Sequence, residues 1–336
     1  MKKHKLFAAL AAIFLVTSVN ADDCNTCDPC EITCDMCDPC GGWSVELDWL
    51  YWHLRRCELT YATTGSDDHL YVKSVDLSYD NGLRLGVFKE CGDVNFGIRY
   101  TRYCYDDSQT VIDTVYDVKP ARSGNVFINS EIAINHYDFD MDVFELESRY
   151  ALLDDCDSSA WAFAGFRYAS IDQKLKTLYG ADATDVSGSG ELNAILVVSE
   201  RNDMDGYGLY LGAASNFSAF SCLDVYGSFS IGTMIAEFER DYKVIVKYEG
   251  ETEVTQHWSD DCYKILTNLD FAVGVGYDLC DICCVDWSLT LGYEFHHWMN
   301  TLDFILAETD GDIFEIDRHS EDLGFDGLFV RLTGTF

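Results

Sequence analysis

Apolar and polar positions alternate with a period of two through most of the chain beyond residue 42. Side chains point alternately to the two faces of a strand, so each such stretch predicts a strand with one oily and one polar face. Over 43–54, Val45, Leu47, Trp49 and Tyr51 share one face, and Glu46 and Asp48 the other. Over 83–87, Arg84 opposes the apolar side. Over 94–103, Val94, Phe96, Ile98 and Tyr100 oppose Asn95, Gly97, Arg99 and Thr101. The stretch 137–143 alternates without a fault, with Tyr137, Phe139, Met141 and Val143 against Asp138, Asp140 and Asp142. Residues 160–170 are aromatic and small, and 207–217 set Tyr207, Leu209 and Leu211 against glycines. The pattern returns with Asp224 in 223–231, Asp270 and Gly274 in 269–279, and Asp286 and Glu294 in 285–297. A last strand closes the chain, setting Leu328, Val330, Leu332 and Phe336 against Arg331, Thr333 and Thr335.

The connections alternate in length. Short ones fall near 91–93, 153–158, 218–222 and 280–284; long ones fall near 57–80, 106–135, 173–204, 237–264 and 301–322. Short turns at one end and long loops at the other are the pattern of a bacterial outer-membrane barrel, which needs an even number of strands. A soluble β-sandwich alternates as well but does not need this rhythm. The expected fold is all-β: a transmembrane antiparallel up-and-down β-barrel of about ten strands. The pieces 195–199 and 243–248 extend the wall or add a hairpin, which makes twelve or more strands an open count.

The start of the chain favours the barrel over the sandwich. Lys2, Lys3 and Lys5 precede an apolar run from Leu6 to Val19, and Val19-Asn20-Ala21 fits a small-residue cleavage site. Residues 1–21 therefore read as a signal peptide, 22–42 as a Cys-rich periplasmic tract and 43–336 as the barrel. The apolar run is too short to span a bilayer as a helix. Inside lipid only helices and closed barrels satisfy every backbone group. The expected location is the bacterial outer membrane, with both termini in the periplasm.

Composition supports this. Aromatics make up 14% of the 336 residues, with 20 Tyr, 20 Phe and 7 Trp, and there are only 3 Pro. Outer-membrane barrels carry aromatic girdles at both interfaces. The net charge of −35 excludes a nucleic-acid partner, which demands a basic surface. Acids in a wet lumen or on surface loops explain that charge better than a soluble core, which self-repulsion would strain.

The chain holds 15 cysteines. Cys24, Cys27, Cys30, Cys34, Cys37 and Cys40 form a repeat that ends twice in Cys-Asp-Pro-Cys. Such spacing can bind zinc or an iron–sulfur cluster, or do redox work. Behind an export signal the oxidising compartment favours structural disulfides. Cys91, Cys156, Cys222, Cys280, Cys283 and Cys284 sit in or beside the four short turns. Cys57, Cys104 and Cys262 fall at the other ends of strands; Cys57 with Cys104 makes a plausible surface bridge, with Cys262 the spare. An odd total leaves at least one thiol free or bonded to another molecule.

The signal peptide, the cysteine-rich mature N-terminus, the entry Gly-Gly-Trp43 with Leu-Asp-Trp-Leu-Tyr-Trp52, and the Phe-ended last strand together resemble the Legionella major outer membrane protein family. The wealth of cysteine also resembles the major outer membrane proteins of chlamydia-like bacteria. The resemblance implies a pore-forming barrel in outer-membrane lipid. It also implies periplasmic disulfides that cross-link neighbours, as homo-oligomers or with other Cys-rich envelope proteins.

No Gly-x-Ser-x-Gly elbow, phosphate loop or His-Glu-x-x-His motif is present, so no enzyme, cofactor or metal site is assigned. Adjacent His296 and His297 point to opposite faces and, with Trp298, read as part of an aromatic girdle. Asp260-Asp261 and Asp310-Gly-Asp312 read as solvated acidic loops rather than calcium sites. The expected function is a porin-like channel for small hydrophilic solutes. Inward Glu46, Asp48, Asp138, Asp140, Asp142, Asp270, Asp286 and Glu294 outnumber inward Arg84, Arg99 and Arg331, which favours cations. The alternative is a structural or adhesive surface barrel with a plugged lumen, since about sixteen strands are needed to leave a wide channel.

Overall fold

The computed structural model describes residues 42–336 apart from 57–58, 67–68, 113–117, 121–129, 131, 156–157, 181–193, 221–222, 249–250, 283–284 and 311–312. The strands are β1 Trp43–Arg56, β2 Thr60–Ser66, β3 His69–Ser74, β4 Tyr79–Cys91, β5 Val94–Ile112, β6 Lys119–Pro120, β7 Ile132–Asp155, β8 Ser158–Gly180, β9 Ala194–Phe220, β10 Leu223–Tyr248, β11 Glu251–Ile282, β12 Val285–Asp310 and β13 Ile313–Thr335. Ten of them close a barrel in the order β1-β13-β12-β11-β10-β9-β8-β7-β5-β4, and β3-β2-β6 form a small separate sheet. Closure joins the two ends of the barrel chain. Phe336 donates to the Trp43 carbonyl at 2.8 Å, and Trp43 donates back to Phe336 at 3.2 Å. The terminal aromatic thus completes the seam, and the barrel sheet itself keeps no edge strand.

Both barrel termini lie beside the short hairpins, where Gly42 accepts from Glu90 at 3.1 Å. The β4–β5 turn is tight, with Gly92 at φ +64, a conformation that costs glycine nothing. The other end differs from expectation. The stretches 237–264 and 301–322 are not long loops. Strands β10 and β11 run on to Tyr248 and from Glu251, and β12 and β13 to Asp310 and from Ile313. The pieces 195–199 and 243–248 belong to β9 and β10 and lengthen the wall rather than adding strands.

Strands of 24 residues in β7 and 32 in β11 exceed by far the roughly 9–11 residues that cross a bilayer. The outward side chains show where the membrane stops. Leu47, Trp49, Tyr51, Leu209, Leu211, Val273, Leu291 and Leu328 form an exposed apolar band. Above it, hydroxyls of outward tyrosines donate to carboxylates: Tyr100 to Asp142 and Tyr168 to Asp205 at 2.5 Å, Tyr263 to Glu237 at 2.7 Å, and Tyr293 to Asp326. An amphipathic ring suits an interface, apolar body in lipid and hydroxyl in water.

Beyond this belt the polarity of the wall inverts. The outer face turns charged, and the inner face becomes a dry core of Leu54, Tyr103, Tyr137, Phe139, Phe238 and Phe325, each about fully buried. Residues of the small sheet, Tyr61 and Ala62, and Leu59 just before it, join the same core. The Tyr179 hydroxyl on β8 donates to the Tyr61 carbonyl. The small sheet therefore packs over the inside of the long-hairpin end.

Candidate functional site

Within the membrane band the barrel interior is a lattice of arginines and carboxylates. Its parts come from alternate positions of neighbouring strands, where the pleat turns charge inward while Leu, Val and Phe meet lipid. On β1, Asp48 accepts from Arg331 at 2.9 Å through both oxygens and from Arg84 at 2.9 Å. Arg84 also donates to Glu294 at 3.1 and 3.2 Å and to Thr101 at 3.2 Å. Glu46 accepts from Arg149 at 3.2 Å and Arg99 at 3.3 Å. Arg149 reaches Glu147 at 2.6 Å, and Tyr210 donates to the same carboxylate at 2.8 Å. Arg167 links Glu145 and Asp270, each at 2.8 Å. His296 Nδ1 meets the other Asp270 oxygen at 2.8 Å. Each carboxylate is shared by more than one donor, the arrangement that makes buried charge tolerable.

Apart from Asp48, which lies behind Arg84 and Arg331, these groups line a cavity of about 300 Å³. Its lining runs from Ser44, Glu90 and Thr335 near the short hairpins up to Trp52, Trp298 and Phe325. There an aromatic layer begins. Trp52 lies 5.7 Å from Tyr103 and 5.6 Å from Phe325, and Phe139 lies 5.7 Å from Phe325, centroid to centroid. The Trp52 indole N–H donates to Glu294 at 2.8 Å, which ties this layer to the charge lattice below.

Of the expected lumen acids, Glu46, Asp48, Asp270 and Glu294 lie in this lattice, and Asp286 sits exposed on the inward parity at the short-hairpin rim. Asp138, Asp140 and Asp142 lie on the outer face instead. In β7 the odd positions point inward, so Tyr137, Phe139, Met141 and Val143 are core. The reason is the inversion at the belt: this part of β7 stands above the membrane, where the wet side is outside. Arg84, Arg99 and Arg331 point inward as expected. Glu145, Glu147, Arg149 and Arg167 were missed, although Glu145 and Glu147 alternate with Phe144 and Leu146 in plain view. His296 is inside the lattice rather than in the girdle, whereas His297 is outside, stacked on Phe295. Asp260 pairs with Arg240 at 3.1 Å instead of standing in a loop.

Cys91, Cys104 and Cys262 are free thiols. Cys104 faces outward beside Arg102, so the Cys57–Cys104 bridge is not formed. Cys262 turns inward to Arg240 Nη2 at 2.9 Å. Cys24, Cys27, Cys30, Cys34, Cys37, Cys40, Cys57, Cys156, Cys222, Cys283 and Cys284 lie outside the described residues, as does the side chain of Cys280.

A closed, even-stranded barrel with an apolar belt, aromatic–carboxylate borders and inward charge is a bacterial outer-membrane protein. The chain belongs to the family described as Legionella pneumophila major outer membrane protein precursor, which it matches over residues 37–335. No curated protein matches it in sequence. Among solved structures it is similar to the outer membrane protease OmpT from Escherichia coli (8% identity, 88% of this chain and 97% of that one, TM-score 0.45). It is also similar to a Pseudomonas aeruginosa FadL homologue (7%, 88% and 90%, 0.30) and to the translocator domain of the autotransporter NalP from Neisseria meningitidis (10%, 98% and 94%, 0.31). These likenesses reach no further than barrel architecture. The expectation that the chain is not an enzyme is nevertheless withdrawn, because an outer membrane protease is among the barrels it is similar to.

Proposed function

We propose that this outer-membrane barrel is a porin-like channel for small hydrophilic solutes, shut at its long-hairpin half in the conformation described. The charged cavity carries this reading. It lies at the depth of lipid-facing Leu291 and Val330, since Asp48 pairs with Arg331 and Arg331 with Thr290 in the adjoining register. Ionised groups at membrane depth are expensive and are found where they line a wet path or a binding site. The short-hairpin end is then periplasmic, preceded by a signal peptide over 1–21 and a Cys-rich tract over 22–42.

Cation preference is expected to be weak rather than strong. Inward Glu46, Asp48, Glu145, Glu147, Asp270 and Glu294 face Arg84, Arg99, Arg149, Arg167 and Arg331, so the fixed charges nearly cancel. Glu90 and Asp286 add acidic side chains at the short-hairpin rim. A second reading, a structural or adhesive barrel with a plugged lumen, is favoured by the aromatic layer and the small sheet above it.

Planar-bilayer recording of the refolded protein separates the two. The channel reading expects small, intermittent steps in the wild type. It expects larger and longer steps when Trp52→Ala and Phe325→Ala thin the aromatic layer. Silence from both proteins, with folding verified by tryptophan fluorescence, removes the channel and leaves the structural barrel.

A further inference from the structure

On the outer wall of the long-hairpin extension, β5 and β7 bring together three metal-ligating side chains. His136 and Asp138 are two residues apart on β7 and share its outward face. Asp106 lies directly opposite Asp138 on β5. His136 Nε2 is 3.3 Å from Asp138 Oδ1 and 3.7 Å from Asp106 Oδ2. One ligand atom from each residue falls within 4.8 Å of the others. A tetrahedral metal with ligands at about 2.1 Å holds them roughly 3.4 Å apart, close to the two separations from His136.

The sheet supplies the preorganisation. The positions are fixed by the β5–β7 ladder rather than by a loop, and the fourth coordination position opens to water because all three side chains are solvent-accessible. Two carboxylates placed directly opposite each other across a pair of strands repel and destabilise the sheet unless a cation sits between them.

We propose that Asp106, His136 and Asp138 form a binding site for a divalent transition metal of the zinc class. One imidazole and two carboxylates fit zinc better than calcium, which takes six to eight oxygens. Lys174 and Lys176 face Asp138 and His136 from β8, so they compete with the metal for the same charge. The site does not depend on the channel reading, because it lies outside the wall and above the tyrosine belt. Asp138 stands four residues beyond Asp142, roughly 13 Å along the strand.

The test is titration of the refolded full chain with zinc chloride at neutral pH by calorimetry, after its thiols are alkylated so that no cysteine competes. One saturable zinc is expected, not displaced by excess calcium. His136→Ala should weaken it by more than about tenfold, the least that even an outer-shell partner contributes. Lys174→Gln should tighten it by removing the competing ammonium. Both residues are surface groups, so both variants should fold. Absence of saturable zinc binding, or equal affinity in the wild type and His136→Ala, overturns the proposal.

Discussion

Arg84 Nη1 lies 2.9 Å from Asp48 Oδ2, with both side chains about fully buried in the barrel interior. Asp48 is shared with Arg331, and Arg84 with Glu294, so the contact is one link of a lattice that spans β4, β1, β13 and β12. Removing one partner from such a pair leaves an uncompensated buried charge. Asp48→Ala is therefore expected to lower stability by about 3–5 kcal/mol. Urea unfolding in detergent, followed by tryptophan emission, reads this directly. A loss below about 1 kcal/mol would mean that water screens the lattice as it does a surface pair.

The lipid face makes a second prediction. Val273 is 44% exposed within the apolar band, and a charge there should cost roughly 2–4 kcal/mol at mid-membrane. Val273→Arg should reduce the heat-modifiable, folded band on gels. Gly274 is a poor inward control, because a Cβ there would meet the Leu291 carbonyl oxygen at 2.9 Å and Gly292 Cα at 3.2 Å. Ser228, which lines the cavity, is the better one. Equal loss of assembly in Val273→Arg and Ser228→Arg would contradict the assigned faces.

Much of this was legible in the sequence, and the failures share a cause. In β1 the outward Val45, Leu47, Trp49 and Tyr51 and the inward Glu46 and Asp48 follow from alternation alone, because the stretch lies within the membrane. In β7 the phase of hydrophobicity changes between Val143 and Phe144. Below it, the even residues Phe144 and Leu146 meet lipid. Above it, the odd residues Tyr137, Phe139 and Met141 fill a dry interior. Alternation tells which residues share a face but not what medium that face meets. The long hairpins resemble loops in the sequence for a related reason: once the lipid requirement ends, polar residues occupy outward strand positions freely.

Charge balance in the lumen gives a third prediction, which rests on the channel reading. With six inward carboxylates against five arginines, reversal potentials in a salt gradient should show only a small cation preference. Arg99 is paired with Glu46 at 3.3 Å, and Arg99→Gln should remove one fixed positive charge from the lumen and raise the preference for potassium over chloride. An anion-preferring wild type, or no change in Arg99→Gln, would mean that the lattice does not face the conducting path.

The last prediction concerns the envelope. Cys91 is an exposed free thiol at the tip of the tight β4–β5 hairpin, on the same side as both barrel termini. Sequence places Cys156, Cys222, Cys280, Cys283 and Cys284 at the other three short turns, and six further cysteines just upstream of the first strand. A wall closed by backbone hydrogen bonds needs no covalent staples for its own stability. Thiols concentrated at one end of the barrel therefore suit bonds to neighbours, if that end faces an oxidising compartment. Unreduced whole-cell extracts should contain disulfide-linked oligomers, or adducts with another Cys-rich envelope protein, that collapse to monomer with reductant. Replacing Cys24 to Cys40 with serine should remove most of them, and Cys91→Ser should remove a distinct subset, because Cys91 projects from the barrel rather than from the tract. Monomer alone in alkylated, unreduced envelopes would rule out the cross-linked sheet and confine the remaining cysteines to internal bridges or buried thiols.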